Sequence, residues 1–429
     1  MMKNRGKKAL SGLFSLALIV SLFSSMPVKA GAVSSWNGVI PAANAAYSFS
    51  GGSGTEAAPY EIDTAADLAQ LSANVRGGTV YTGKYFVMTD DISLSPASAS
   101  DATVNPTVAG TAGYTGGGTV YEWLPIGGGN TSYSFQGHFD GDGYTISNIF
   151  YNHSTGSYGT GNSVANNIGL FGKLEENASI RNLTISGGYV GAQRSVGGLV
   201  GKGWGDIVNC VNNGTVVYGN EAKGVGGIIG ANWVNTTTNP PSILNSANYG
   251  KVISGYSSGS AGGIAGENEG TILNCWNAGE VISPYNAGGL VGSNKNDYNK
   301  QTGTGGTVYG GISNSYNAGT VTGGIAGGIA AFQKGSMRNC YNIGDITGST
   351  YAGELIGEMN SSLTNDALRY EGSSTPVGNL VSGSPATVSF SSASGLLSDL
   401  NGWVSAQSSG DYSTWTIDPS KNSGYPIFA

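Results

Sequence analysis

Charge is scarce in this chain of 429 residues: Asp, Glu, Lys and Arg together make up 10 %, where about 25 % is usual. Histidine occurs twice and cysteine three times. Chemistry built on clusters of imidazole or on a dense disulfide framework is therefore excluded. Apolar runs long enough to cross a bilayer are also absent after the first segment, which holds a greasy stretch only from about Leu10 to Phe23. That stretch follows Lys3, Arg5, Lys7 and Lys8 and ends near Val28-Lys29-Ala30, the pattern of a secretory signal peptide cut after Ala30. Loss of residues 1–30 removes five basic side chains and leaves 14 basic against 26 acidic, a net charge of −12. So acidic a protein is repelled by nucleic acid and anionic headgroups. The expectation is a secreted or cell-surface protein with no membrane span after signal removal and no nucleic-acid partner.

Glycine, by contrast, supplies 73 residues, more than twice the usual share of about 7 %. No three-residue period exists, which excludes collagen. Instead one phrase returns: GGLVG at 197, GGIIG at 226, GGIAG at 262, GGLVG at 288, GGIAA at 327 and GELIG at 353. A second phrase begins at Ile207, Ile243, Ile272, Ile312 and Met337 and places Asn at its third and sixth positions. From Ile168 the intervals are 29, 29, 36, 26, 39 and 26 residues. Each holds short Ile- and Val-rich runs between Gly and Asn, so one supersecondary unit is stacked many times. Three short strands and three bends per turn predict an all-β, right-handed parallel β-helix of roughly 8 to 10 rungs at about 4.8 Å spacing.

The organisation expected is a signal peptide (1–30), a flexible lead-in (31–58), an N-terminal cap with the first rungs (59–167), the repeat solenoid (168–360), and a C-terminal rung with its cap (361–429). The first cap is a helix after Thr64, with Asp67 three residues on and Leu68, Leu71 and Val75 on one face. The second is a helix carrying Leu396, Leu397, Leu400 and Trp403, followed by strands at 415–417 and 425–427. Loops are expected at 95–119, 235–242 and 293–310.

Cys210, Cys275 and Cys340 share one slot, which Ser246 and Ser315 fill in the repeats between them. Cysteines two rungs apart lie roughly 9.6 Å from each other, beyond the about 7 Å Cα limit for a disulfide. Three free thiols are expected. The two Asn columns, 209/245/274/314/339 and 212/248/277/317/342, read as ladders that pair buried backbone from rung to rung.

These phrases, with Trp123-Leu-Pro-Ile-Gly127, Phe139-Asp-Gly-Asp-Gly143, Thr145-Ile-Ser-Asn148 and Gly169-Leu-Phe-Gly172 ahead of them, resemble the GLUG repeat of bacterial cell-surface proteins. The resemblance spans roughly residues 59–429. It implies an extracellular β-solenoid of the sort found in adhesin-like and wall-associated proteins and in some IgA-cleaving metallopeptidases. Those peptidases carry a His-Glu-x-x-His helix; this chain has none, and the activity does not carry over.

Beyond the scaffold, the residue after the Cys/Ser slot runs Val211, Ala247, Trp276, Tyr316, Tyr341, an aromatic stripe over three rungs. Tyr218, Tyr256, Tyr285 and Tyr351 precede the glycine boxes. Such rows suit sugar rings or a protein partner; the alternative is an outer ladder that only stabilises the rod. Asp140-Gly-Asp-Gly143 beside His138 and His153 reads as an Asx turn, and Glu267, Glu269 and Glu280 as solvated turn residues. No catalytic residue, metal or cofactor is assigned. The function expected is non-catalytic binding of a polysaccharide or cell-surface protein, the alternatives being a polysaccharide lyase or glycosidase on the same scaffold, or a structural spacer.

Overall fold

The computed structural model describes residues 33–95, 121–129, 131–153, 166–235, 240–295, 310–361, 363–371, 374–408 and 410–429. The signal peptide, most of the 95–119 and 293–310 loops and the centre of the 235–242 loop lie outside these.

The chain winds into a parallel β-solenoid. A ten-stranded sheet runs from Tyr60–Ile62 to Asn365–Asp366, an eight-stranded sheet from Phe171–Leu174 to Val377–Ser382, and a third sheet of twenty short strands completes each turn. Ten strands in one sheet agree with the expected number of rungs. Register is one repeat per rung: Ile207, Ile243, Ile272, Ile312 and Met337 pair in succession and are all fully buried. The core is thus a column of stacked apolar side chains inside the coil.

The glycine boxes mark a corner where the backbone passes too close to itself for a side chain. A Cβ on the first glycine would sit 1.9–2.1 Å from the carbonyl oxygen three residues on, at Gly197, Gly226, Gly262, Gly288, Gly327 and Gly353 alike. On the second glycine, as at Gly263 and Gly328, it would strike a carbonyl of the following rung at 2.3 and 2.1 Å. Only the last box departs, with Glu354 at this second position. No further glycine box follows it, and the Glu354 amide bonds the Thr375 carbonyl instead.

Both Asn columns form ladders. Asn212, Asn248, Asn277, Asn317 and Asn342 are completely buried, and each amide donates to the next side-chain oxygen at 2.8–2.9 Å. At the last rung Glu354 Oε2 replaces the missing next Asn as acceptor, 3.3 Å from Asn342. The other column occupies the bend in the left-handed region (φ 47–55°), which Asn tolerates better than other side-chain-bearing residues. Its donors point the opposite way, from Asn245 back to Asn209 and from Asn314 back to Asn274. A third ladder, Asn232–Asn268–Asn294–Gln333–Asn365, escaped the sequence reading. The three cysteines are free and buried as expected. Burial pushes their thiols up to about 12.

Helix α1 (Ala65–Arg76) covers the N-terminal end and begins with the expected capping box between Thr64 and Asp67. The lead-in differs from expectation: residues 33–58 are built into this cap. Trp36 and Phe49 enter the core, Ser34 accepts from the Ala65 amide, and Tyr47 and Ser50 donate to Asp67. Few large side chains sufficed because each fills a slot at the end of the coil.

Helix α2 (Ala393–Ser405) and the antiparallel pair Trp415–Thr416 with Ile427–Phe428 also form as expected. Their place is different. They lie along the flank of the rod, over the outer side of the third sheet, and among the described residues Leu380 at its C-terminal end stays exposed.

Candidate functional site

Three groups of aromatic side chains decorate the coil, and the structure treats each differently. In the stripe, Trp276, Tyr316 and Tyr341 pair rung to rung. Their rings stack with 3° between planes, centroids 6.2 and 5.0 Å apart. The stripe does not face solvent. Leu396 and Leu400 of α2, with Trp415 and Ile427, pack onto it together with Val211 and Ala247. Trp415 reaches within 5.6 Å of the Tyr341 ring and Phe428 within 5.8 Å of the Tyr316 ring. Polar contacts fasten the cover: Asn274 and Asn314 donate to the Asp411 and Ser413 carbonyls at 2.7 and 2.8 Å. The Trp415 indole donates to Asn314 at 2.8 Å, and the Tyr341 hydroxyl to the Pro426 carbonyl. Burial holds the Tyr316 and Tyr341 hydroxyls well above the usual tyrosine range. As placed, these three rings hold the chain's own C-terminal segment.

The tyrosines before the boxes do not form one row. Tyr218 is buried against Tyr189 and Ile253. Tyr351 lines up with Ile325, and Tyr285 sits at a register irregularity between Ser283 and Asn286. Tyr256 is half-buried; Tyr285 and Tyr351 are exposed.

A third pair was missed in the sequence. Trp204 and Trp233 each lie seven residues after the first glycine of a box, so consecutive rungs place them on the same bend. Their amides donate to the Leu174 and Gly203 carbonyls, both at 3.0 Å. Both indoles are half-buried. The Lys202 ammonium lies 4.7 Å from the Trp204 ring centroid and 3.6 Å from that of Trp233. Trp233 donates its ring N–H to Glu267 at 3.1 Å, and Glu267 is ion-paired to Lys295 at 2.7 Å. Lys173 occupies the rung before Lys202 in the same column. Burial lowers its ammonium from the usual lysine range.

This network accounts for two of the three glutamates of the sequence cluster. Glu267 and Glu269 are buried rather than solvated. Glu269 accepts from the Val234 amide at 3.2 Å. Glu280 pairs with Lys251. The histidines stand apart: His138 stacks on Tyr85 and bonds Ser179, whereas His153 meets Glu122. Burial, with the Arg181 charge added, lowers His138 below the usual histidine range. Asp140 accepts from the Asp142 amide, as an Asx turn requires, and pairs with Arg181. Among the described residues no three His, Cys, Asp or Glu side chains gather as metal ligands.

No protein-family model matches the chain. The crystal structure of a "putative immunoglobulin A1 protease" from Bacteroides ovatus superposes over 91 % of this chain and 97 % of its own, with TM-score 0.52 and 21 % identity. That likeness establishes the solenoid fold. A "Putative Gly-rich membrane protein" of Evansella cellulosilytica is 36 % identical over 164 residues, and Halomucin of Haloquadratum walsbyi 32 % identical over 179. The matches cover 38 % and 42 % of this chain but 15 % and 2 % of those relatives. The matched segments are thus small parts of much longer proteins described as a membrane protein and a halomucin. Among the described residues no helix is long and apolar enough to cross a membrane.

Proposed function

We propose that the chain is an extracellular, cell-surface β-solenoid of the GLUG-repeat kind that binds a glycan without cleaving it, at the Trp204–Trp233 pair. The observation that supports this is the placement of two half-buried indoles on consecutive rungs, with the Lys202 ammonium over a face of each. An indole face that Lys202 leaves uncovered can stack on the apolar face of a sugar ring, and Lys202 supplies a donor for hydroxyl or carboxylate oxygens. Hydrolysis would need a pair of carboxylates flanking the scissile bond. Here Glu267 is tied to Lys295 and Trp233, and Glu269 to the backbone. The cell-surface setting draws on the signal-like N-terminus and on the two relatives.

The test is retention on insoluble peptidoglycan, chitin and cellulose, with assay of reducing ends. The expected result is retention without new ends, reduced at least tenfold by Trp233→Ala and little changed by Tyr285→Ala. New reducing ends, or retention indifferent to Trp204→Ala and Trp233→Ala, contradict the reading.

A further inference from the structure

The C-terminal end of the rod is an unpaired edge. The last strand of the eight-stranded sheet, Val377–Ser382, pairs with Ile356–Asn360 on one side, and among the described residues no strand pairs with its other side. Ile356 donates to the Pro376 carbonyl at 3.1 Å. Alternation along a parallel ladder then turns the peptide groups of Val377 and Asn379 outward, away from the rod.

Apolar side chains are left exposed at the same end. Leu380 stands opposite Met359, which is fully buried, yet Leu380 itself is 54 % exposed because no rung covers it. Its neighbour Val381 is 56 % exposed, whereas Val388, 50 % exposed, stands opposite Arg369 in the outer column that continues from Tyr341. The sequence from Gly372 to Ser398 contains no charged residue, whereas solenoid and sheet proteins ordinarily guard an open edge with charge, proline or a covering element. The element that could have covered it, α2, is committed to the aromatic stripe on the flank.

The end is also adapted rather than interrupted. Glu354 terminates the glycine-box column and the inner Asn ladder together. Among the described residues the opposite end offers no comparable edge: its terminal strands are the short Ser34–Ser35 and Tyr60–Ile62, the latter bridged by Gly51, with α1 and residues 33–58 packed at that end. Head-to-tail stacking of copies is therefore disfavoured, and the open rung, paired on one side only among the described residues, is matched best by the same edge of another copy.

We infer that two copies associate tail to tail about a twofold axis, with Val377–Ser382 of each pairing antiparallel across it and Leu380 and Val381 buried between. A twofold contact uses one patch twice, and the absence of charge on this patch spares the encounter the repulsion expected between two acidic proteins. The arrangement gives a rod of double length with both sealed N-terminal ends outward, and it is independent of glycan binding.

Sedimentation velocity of the full-length purified protein over a hundredfold concentration range tests this. The expected result is a concentration-dependent monomer–dimer equilibrium, weakened at least tenfold by Leu380→Lys with Val381→Lys. Val39→Lys, an exposed site at the sealed end, leaves it unchanged. Hydrogen exchange on the unsubstituted protein serves as a second readout, in which the Val377 and Asn379 amides exchange more slowly in the concentrated sample. Monomer throughout, growth beyond dimer, a dimer indifferent to the lysine pair, or amides whose exchange ignores concentration would overturn the inference.

Discussion

The two ends of the rod have the same problem and different solutions. At the N-terminus, a helix with ten of its twelve residues buried lies over the first rungs, and a further stretch of chain is bound over the helix. At the C-terminus, a helix of similar length buries only Leu396 and Leu400, and it does so on the flank. The difference follows from where apolar surface is offered. The first rungs present Ile62, Phe86 and Met88 at the end of the coil, and the last rungs present Trp276, Tyr316 and Tyr341 on its side. A helix goes where the larger apolar face is. Amphipathicity predicts that α2 docks but cannot say on which surface.

Breaking the flank contact is expected to have the largest effect. Trp415 is buried against Tyr316, Tyr341 and Phe428 and bonds Asn314, so Trp415→Ala should cost about 3–5 kcal/mol. Because the contact holds a side segment, that loss should appear as separate early melting of residues 391–429, seen as proteolytic release, while the coil stays folded. Next comes the sealed end: Leu71→Ala should cost about 2–5 kcal/mol and lower the melting of the first rungs. The matching change at the open end, Leu380→Ala, should stay within about 0.5 kcal/mol in dilute protein, as exposed sites do. Equal effects at the two positions would refute the contrast.

Helix caps sharpen the comparison further. Asp67 accepts from Thr64, Tyr47 and Ser50, so Asp67→Ala removes a capping box and two anchors of the lead-in. Ser392→Ala removes one bond, to the Gly395 amide. The second change should cost about 1 kcal/mol and the first clearly more, measured by denaturant midpoint.

The smallest graded effect is alkaline. Tyr316 and Tyr341 are held above the ordinary tyrosine value when folded. Their contribution is complete below the unfolded value of about 10 and is lost as pH rises through the folded values. Release of the C-terminal segment should therefore set in above about pH 10, and Tyr316→Phe should delay it. A segment that detaches on acidification instead would contradict this assignment.

Much of the rod could be read from residues. The aliphatic columns, the Asn ladders and the cysteine slot recur at fixed offsets, and fixed offsets become vertical columns once rungs stack. The third ladder at Asn232, Asn268 and Asn294 followed the same rule and was legible, each residue lying six positions after the first glycine of its box; so was Trp204 with Trp233. Two recurrences make a fainter signal than five. What could not be read was accessibility. Trp276, Tyr316 and Tyr341 form the expected stripe, but whether it meets solvent depends on residues more than fifty positions away. Likewise, Trp36 and Phe49 look isolated in an Ala- and Ser-rich stretch until the end of the coil supplies their slots.

The central claim is that the C-terminal segment covers the flank and leaves the end of the rod open. Hydroxyl-radical footprinting of dilute, monomeric protein tests it most directly. The account predicts that Trp276, Tyr316 and Tyr341 are protected while Leu380 and Val381 are labelled, with Trp415→Ala opening the stripe. Labelling of the stripe in the unaltered protein, together with protection of Leu380 and Val381, would contradict it.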